Sequence, residues 1–529
     1  MKSRIATLRK MLGITLLSGI VLSSCSIFGR GGLLPSSEDG TGYEALGLSL
    51  DPDGQGYAAQ TSAFSLNAVH NTSGLLDLSS TGTQNILVIP VKVTDYASVA
   101  TAGVRSDIYK AFFGAPAETG WESLASFYYK SSFKSLLLKG TVSDWYDCGY
   151  STKEISALAN SYSGSYADYY EPSWTILEGA VEWYKETYAT GCASFDRNSD
   201  GVIDAVWLVY GAPHYTNTNG LSEDFWAYTY FDYDQTEKPL SHTDAIPYHY
   251  SWASYDFLYE MESSWGYGKL DAHTYIHETG HLIGLDDYYV TDEAATNAGP
   301  MGKIDMMDGN VIDNNAYSKF ALGWVKPYVV SGSCSLVLKP SSTTGQCVLL
   351  PTGDGWNGSF ADEYLLLEYY TPTLLNEKDA SIAYSNGLQG FTQNGVRIYH
   401  VDSRLLTYYL ASQTFGDYSD SLLNSSTARV VIAHSNTNTY NRATNKSFRL
   451  IQELDATRKR NFDVFPVLEN IPPVADNGTL FQEGDSYSFA SYASSFPNGF
   501  TMNDGTAMPY SVSFSSVSDS SIALTITKH

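Results

Sequence analysis

From residue 85 onward the apolar positions fall into two kinds of pattern, and the balance between them changes part-way along the chain. Runs at 85–93, 135–145 and 202–210 are rich in Ile, Leu, Val and Trp, as expected of strands buried in the middle of a sheet. Between them, segments 103–113, 121–130, 171–189 and 271–283 repeat apolar residues at helical spacing, which predicts amphipathic helices. The alternation of the two predicts an α/β domain over 85–325. Beyond Trp324 the helical period fades. Short runs at 335–338, 348–350, 364–370 and 396–401 predict a β-rich extension over 326–420. In the last segment, 421–529, Val512 and Phe514 alternate with polar residues, as do Ile522, Leu524 and Ile526, all after an Asn503-Asp504-Gly505 turn. A terminal β-sandwich is the expectation there. Residues 26–84 are rich in Gly, Ser and Thr with weak periodicity, and predict a tether with room for a propeptide.

The start of the chain bears on location. Lys2, Arg4, Arg9 and Lys10 precede an apolar run from 11 to 22, and Leu22-Ser23-Ser24-Cys25 closes it with small residues before a cysteine. This resembles a bacterial lipoprotein signal occupying 1–25, with Cys25 lipidated as the mature N-terminus. The apolar run is short for a spanning helix. Export follows as the expectation, with a lipid anchor at the cell surface or the periplasmic face of a membrane, or release from it. Setting Cys25 aside leaves Cys148, Cys192, Cys334 and Cys347, an even set in an exported chain. Cys334 with Cys347 is the pairing easiest to close, which leaves Cys148 with Cys192; four buried free thiols are the alternative. Lys and Arg number 31 against 57 Asp and Glu, a net charge of −26, which argues against nucleic acid or an anionic lipid surface as partner.

The chemistry concentrates in His277-Glu278-Thr279-Gly280-His281-Leu282-Ile283-Gly284-Leu285-Asp286-Asp287. On a helix, His277 and His281 stand one turn apart on the same face, so both imidazoles can meet one metal ion, with Glu278 beside them. Gly284 follows the last apolar helical residues, where it can adopt a positive φ, end the helix and turn the chain back. Asp287 is then the natural third ligand, with Asp286 and Glu293 as rivals. Two imidazoles and a carboxylate leave a bound zinc positively charged, able to activate a water from which Glu278 takes the proton as general base. Chance agreement with H-E-x-x-H plus the Gly and Asp spacing has odds of about one in ten thousand in a chain of this composition. His273, four residues earlier on the same face, reads as a hydrogen-bonding neighbour of the site. Tyr317 is a candidate donor to the transition-state oxyanion, in a chain with 41 tyrosines where packing is the ordinary role.

A second acidic motif stands at Asp196-Arg197-Asn198-Ser199-Asp200-Gly201-Val202-Ile203-Asp204. Oxygen donors at Asp196, Asn198, Asp200 and Asp204, with the carbonyl of Val202, make a candidate calcium loop. Trp207 occupies the twelfth position, where an EF-hand needs a bidentate Glu, so the loop is of another type. An Asx-rich turn that binds nothing is the alternative.

The stretch from Tyr275 through Asp287-Tyr288-Tyr289, followed by Asp305-Met306-Met307-Asp308, Tyr317-Ser318-Lys319 and Leu322-Gly323-Trp324, resembles the immune inhibitor A-like family of secreted bacterial metallopeptidases. The resemblance spans 85 to 402. It implies a zincin-like α/β (α+β) catalytic domain of metzincin type, with protein or peptide substrates and a monomeric chain. It also implies a methionine turn beneath the metal, which falls on Met307 with Met306 as fallback, and an Asp-rich turn before a strand, as at 196–204. The reading from sequence is a zinc-dependent endopeptidase. The alternative is a surface adhesin on a retired protease scaffold, whose usual mark is a missing Glu or ligand; here all four are present.

Overall fold

A computed structural model describes residues 57–59, 65–66, 69, 78–161, 171–232, 244–290, 299–353, 355–419, 422, 425, 427–437, 448–463, 473–499 and 501–529. The signal segment with Cys25 and the rival ligand Glu293 lie outside them. The chain divides into two compact units. One comprises Gly74–Lys130 and Lys134–Leu285; the other includes Ser131–Phe133 and Asp286–His529. The division at 285/286 comes earlier in the chain than the 325/326 step in periodicity, because residues 286–325 pack with the β-rich half while keeping short helices.

In the first unit, β1 (Gly82–Lys92) runs parallel to both β2 (Leu136–Val142) and β3 (Val206–Tyr210). The edge strand β4 (Tyr228–Phe231) is antiparallel to β5 (His249–Ser254), which in turn is parallel to β3. The order is β2-β1-β3-β5-β4, with Tyr146–Asp147 pairing beside β1. All five residues of β3 are buried, as its unbroken Val-Trp-Leu-Val-Tyr sequence requires. Helices α1 (Ala102–Phe113), α2 (Leu124–Ser131), α3 (Ser173–Thr187) and α4 (His273–Leu282) match the four predicted helical segments. Strands β4 and β5 were not legible, because 211–269 interleaves Tyr and Trp with polar residues. In the fold both faces of β5 are covered, including His249 and Ser251.

The second unit opens with two short helices, α5 (Met306–Gly309) and α6 (Ala316–Ala321). It continues through β6 (Tyr328–Val330), β7 (Cys334–Leu338), β8 (Cys347–Pro351), β9 (Glu363–Tyr370) and β10 (Gly395–Asp402). Then come β11 (Leu405–Tyr409), β12 (Thr414–Asp417), β13 (Ala428–Ile432) and β14 (Ile451–Glu453). The last strands are β15 (Ser486–Ser488), β16 (Tyr510–Ser518) and β17 (Ser521–Lys528). A six-stranded sheet has the order Tyr57–Ala59, β6, β8, β9, β10, β14, so part of the expected tether at 26–84 is a sheet strand. A four-stranded sheet runs β15-β16-β17-β7, and a three-stranded one β12-β11-β13. Alternate residues of β9 (Leu365, Leu367, Tyr369) and β17 (Ile522, Leu524, Ile526) enter one shared apolar cluster, the period-2 pattern of the sequence realised as packing. The molecule is thus mixed α/β with a β-rich second half.

All four described cysteines are free thiols, which corrects the two candidate disulfides; Cys148, Cys192 and Cys347 are buried as the alternative has it, and Cys334 is half-buried. Cys334 and Cys347 are not on one hairpin. A helical turn, Ser341–Thr344, separates them, and they stand on β7 and β8 of different sheets. The Cys148 thiol donates to the carbonyl of Lys92 at 3.2 Å, and burial pushes the Cys192 thiol up to about 12.

Candidate metal centre

Helix α4 is buried along nine of its ten residues, so it has no solvent face to advertise. Its packing side is anchored by polar tips inside the first unit. Trp207 Nε1 donates to Thr279 Oγ1 at 3.1 Å, Tyr128 Oη to the carbonyl of Ile276 at 2.6 Å, and Tyr275 Oη to that of Ser254 at 2.6 Å. Asp271 caps from one residue outside the cap position. Ala272 holds the cap position without a side-chain bond, while Asp271 Oδ1 accepts from the amide of His273 at 3.0 Å. His273 is fully buried, stacked on Trp121 at 4.2 Å, with Nδ1 2.6 Å from Asp271 Oδ1.

The helix stops as Gly284 predicts. Its φ is +107°, its amide bonds the carbonyl of His281 at 3.0 Å, and the amide of Leu285 reaches back to Gly280 at 2.9 Å. This pair of bonds is the Schellman arrangement, which reverses the chain just past the helix end. The reversal also fixes a ligand: His281 Nδ1 lies 2.8 Å from the carbonyl of Leu285. A carbonyl only accepts, so Nδ1 carries the proton and Nε2 keeps its lone pair for a metal. The rings of His277 and His281 are 5.0 Å apart and nearly perpendicular, at 85°.

One ligand atom each from His277, His281 and Asp287 lie within 4.8 Å of one another. Among the described residues this is the only such group of His, Cys, Asp or Glu side chains. Donors about 2.0–2.2 Å from a tetrahedral zinc stand about 3.3–3.6 Å apart, so these three side chains are of the right type for such an ion and would have to draw together to hold it. Asp286 is engaged elsewhere: Oδ1 accepts from the amide of Asp287 at 3.1 Å and Oδ2 from Ser435 Oγ at 2.6 Å.

Glu278 is 6 % exposed. Thr229 Oγ1, on edge strand β4, stands 3.1 Å from Glu278 Oε2 and 2.9 Å from the Glu278 carbonyl, while Ser251 Oγ on β5 lies 2.8 Å behind it. One hydroxyl proton serves one acceptor at a time, so with Ser251 donating to it Thr229 can turn its proton to either oxygen of Glu278.

Met306 and Met307 are both fully buried in α5, whose N-cap Asp305 accepts from the amide of Met307 at 3.0 Å. The carbonyl of Met307 takes the amide of Tyr288 at 2.8 Å, tying this turn to the chain beside Asp287. Tyr317 is buried in α6 with its ring 6.3 Å from Tyr288; burial raises its pKa far above the usual tyrosine range, against a smaller lowering by the Ser403 hydroxyl.

At 196–204 the acidic side chains bind their own backbone. Asp196 accepts from the amides of Asp200 and Gly201 at 3.1 and 2.9 Å, Asp200 from that of Val202 at 2.8 Å, and Asp204 from that of Arg197 at 3.1 Å. Asn198 Oδ1 accepts from the amide of Asp200 at 3.0 Å. Burial lifts the Asp204 carboxyl to about 7.

Sequence reasoning missed Thr229, Ser251, Ser435 and Asn436. Single hydroxyls and an amide in unpatterned segments carry no signal of their own. A comparison with protein-family profiles finds no match for this chain. A comparison with curated proteins finds none either.

Proposed function

We propose that this chain is a zinc-dependent endopeptidase acting on protein substrates. The observation that carries the reading is the convergence of His277, His281 and Asp287 with Glu278 one residue from the first ligand. Zinc held by these three would supply Lewis-acid polarisation of a peptide carbonyl and would acidify water. The chain's own contribution is proton handling and orientation. Glu278 Oε1 and Oε2 accept a proton from water and return it to the leaving amine. Thr229 can donate to the carboxylate, and the Nδ1 proton of His281, fixed on Leu285, sets that ring. The intact Glu and ligand set disfavours the adhesin-only reading.

The same reading extends to the finer features. A zincin-like first unit accounts for a mixed sheet with an antiparallel edge strand and the motif helix beside it. A β-sandwich accounts for two sheets feeding one apolar cluster. The immune inhibitor A-like resemblance, a lipid anchor through Cys25 and a structural calcium ion at 196–204 belong to the proposal on sequence grounds. No helix among the described residues is long and apolar enough to cross a membrane. The test is the purified exported chain against unfolded protein substrates, with zinc content measured on the same sample. Cleavage that a chelator abolishes, one equivalent of zinc, and loss of turnover in Glu278→Gln are expected. Full turnover in that variant removes Glu278 as the base, and full turnover in metal-free protein removes the metallopeptidase.

A further inference from the structure

The three ligands differ in how they are held. His277 and His281 ride on a helix locked against its sheet, whereas Asp287 sits in the chain after the reversal, with no regular element to orient it. Within the second unit, both neighbours of Asp287 are pinned by residues far away in sequence. On the N-terminal side, Ser435 Oγ donates to Asp286 Oδ2 at 2.6 Å, and the other oxygen of that carboxylate takes the amide of Asp287 itself at 3.1 Å. Thr437 supports Ser435 from behind, its Oγ1 at 2.9 Å and its amide at 3.2 Å. On the C-terminal side, Asn436 Nδ2 donates to the carbonyl of Tyr288 at 2.8 Å, while the amide of Tyr288 is held by Met307. The second Nδ2 proton of Asn436 goes to the carbonyl of Ile451 at 2.9 Å and its Oδ1 accepts from the amide of Ile451 at 3.1 Å. The side chain thus takes the place of a strand partner at the first residue of β14, which pairs with β10 in the six-stranded sheet. Asn436 is fully buried and its side chain makes three hydrogen bonds, so moving it breaks several at once.

We infer that Ser435 and Asn436 are positioning residues for the third metal ligand: Ser435 holds the Asp286 carboxylate that accepts the amide of Asp287, Asn436 ties the carbonyl of Tyr288 to the first residue of β14, and together they set the affinity of the site for its ion. This rests on the metallopeptidase reading above. Ser435 acts through the Asp286 side chain and Asn436 through the carbonyl of Tyr288.

The test strips the full exported chain of metal and titrates it with zinc against a chromophoric competitor, for wild type, Ser435→Ala, Ser435→Thr, Asn436→Ala and His277→Ala. Loss of outer-shell support weakens metal binding by about 10–100-fold. That range is expected for Asn436→Ala, with a smaller loss for Ser435→Ala and recovery in Ser435→Thr, which restores the hydroxyl. Cobalt in place of zinc gives a second readout: its visible spectrum changes in Ser435→Ala and Asn436→Ala when the carboxylate is displaced, and stays as in wild type when only stability is affected. Should Asn436→Ala fail to fold, the Ser435 pair decides alone. Ser435→Ala with wild-type zinc affinity and an unchanged cobalt spectrum overturns the positioning role and leaves the enzyme reading intact. Wild type and His277→Ala binding zinc equally overturns both.

Discussion

On the proposed endopeptidase reading each residue of the motif carries a separable duty, and substitution tests them one at a time. Glu278→Gln keeps size and burial but removes the base, so turnover is expected to fall by about 10²–10⁴-fold with zinc stoichiometry unchanged, measured on one preparation. Thr229→Val removes the hydroxyl beside Glu278 Oε2 and is expected to lower kcat more than it raises KM, since the hydroxyl orients a reacting group and not the substrate. Asp204 yields a prediction in pH. Its folded-state pKa of about 7 lies above the ordinary carboxylate value of about 4, so the fold holds a proton that the unfolded chain releases. The stability tied to that proton is present below about pH 4 and is lost as pH rises through about 7. A melting temperature that declines between pH 5 and 8, and flattens in Asp204→Asn, is the expected result; a decline of equal size in the variant assigns it to other groups. Millimolar calcium reduces the decline at pH 8 if the loop binds it, because a cation then replaces the proton.

The decisive elements are the end of α4 and the turn around α5. Gly284 at φ +107° cannot be exchanged for a residue with a Cβ without strain of about 1–2 kcal/mol, and the strain falls where the chain turns towards Asp287. Gly284→Ala is therefore expected to lower the melting temperature by several degrees and to weaken zinc binding, both read from one thermal and one metal titration series. Beside α5, Arg397 is 1 % exposed and bidentate to Glu453 at 2.8 and 2.7 Å, and it also donates to the carbonyl of Ile304, one residue before the α5 cap. Arg397→Met strands the Glu453 carboxylate in the interior, at a cost of about 3–5 kcal/mol, while the double variant Arg397→Met/Glu453→Met loses much less. A loss in the double variant equal to the sum of the losses in Arg397→Met and Glu453→Met alone, by denaturant titration, would show that the pair is not coupled. The helices of the first unit were legible because their apolar spacing is regular and long. Strands β4 and β5 were not, since β5 owes its burial of His249 and Ser251 to neighbours on both faces, and no periodicity records that.

At the scale of the whole molecule, the free cysteines give the simplest check. A chain beginning after Cys25 should titrate four thiols in denaturant and show the same melting temperature with and without reductant, because Cys334 and Cys347 lie on strands of different sheets. Two thiols, or a stability that falls on reduction, would reinstate a disulfide. The sequence by itself determined the local chemistry: which helix carries two imidazoles a turn apart, which carboxylate stands between them, where a glycine ends the helix, and which half of the chain alternates as strands. These are properties of neighbours within about ten residues, fixed by helical and strand period and by glycine's access to positive φ. Tertiary structure decided what distant segments supply. It set the Thr229 hydroxyl against Glu278, engaged Asp286 with Ser435, and seated Asn436 between Tyr288 and Ile451. A lone hydroxyl or amide acquires a role only from the partner that folding brings to it, and that partner lies outside any window in which a pattern can be read.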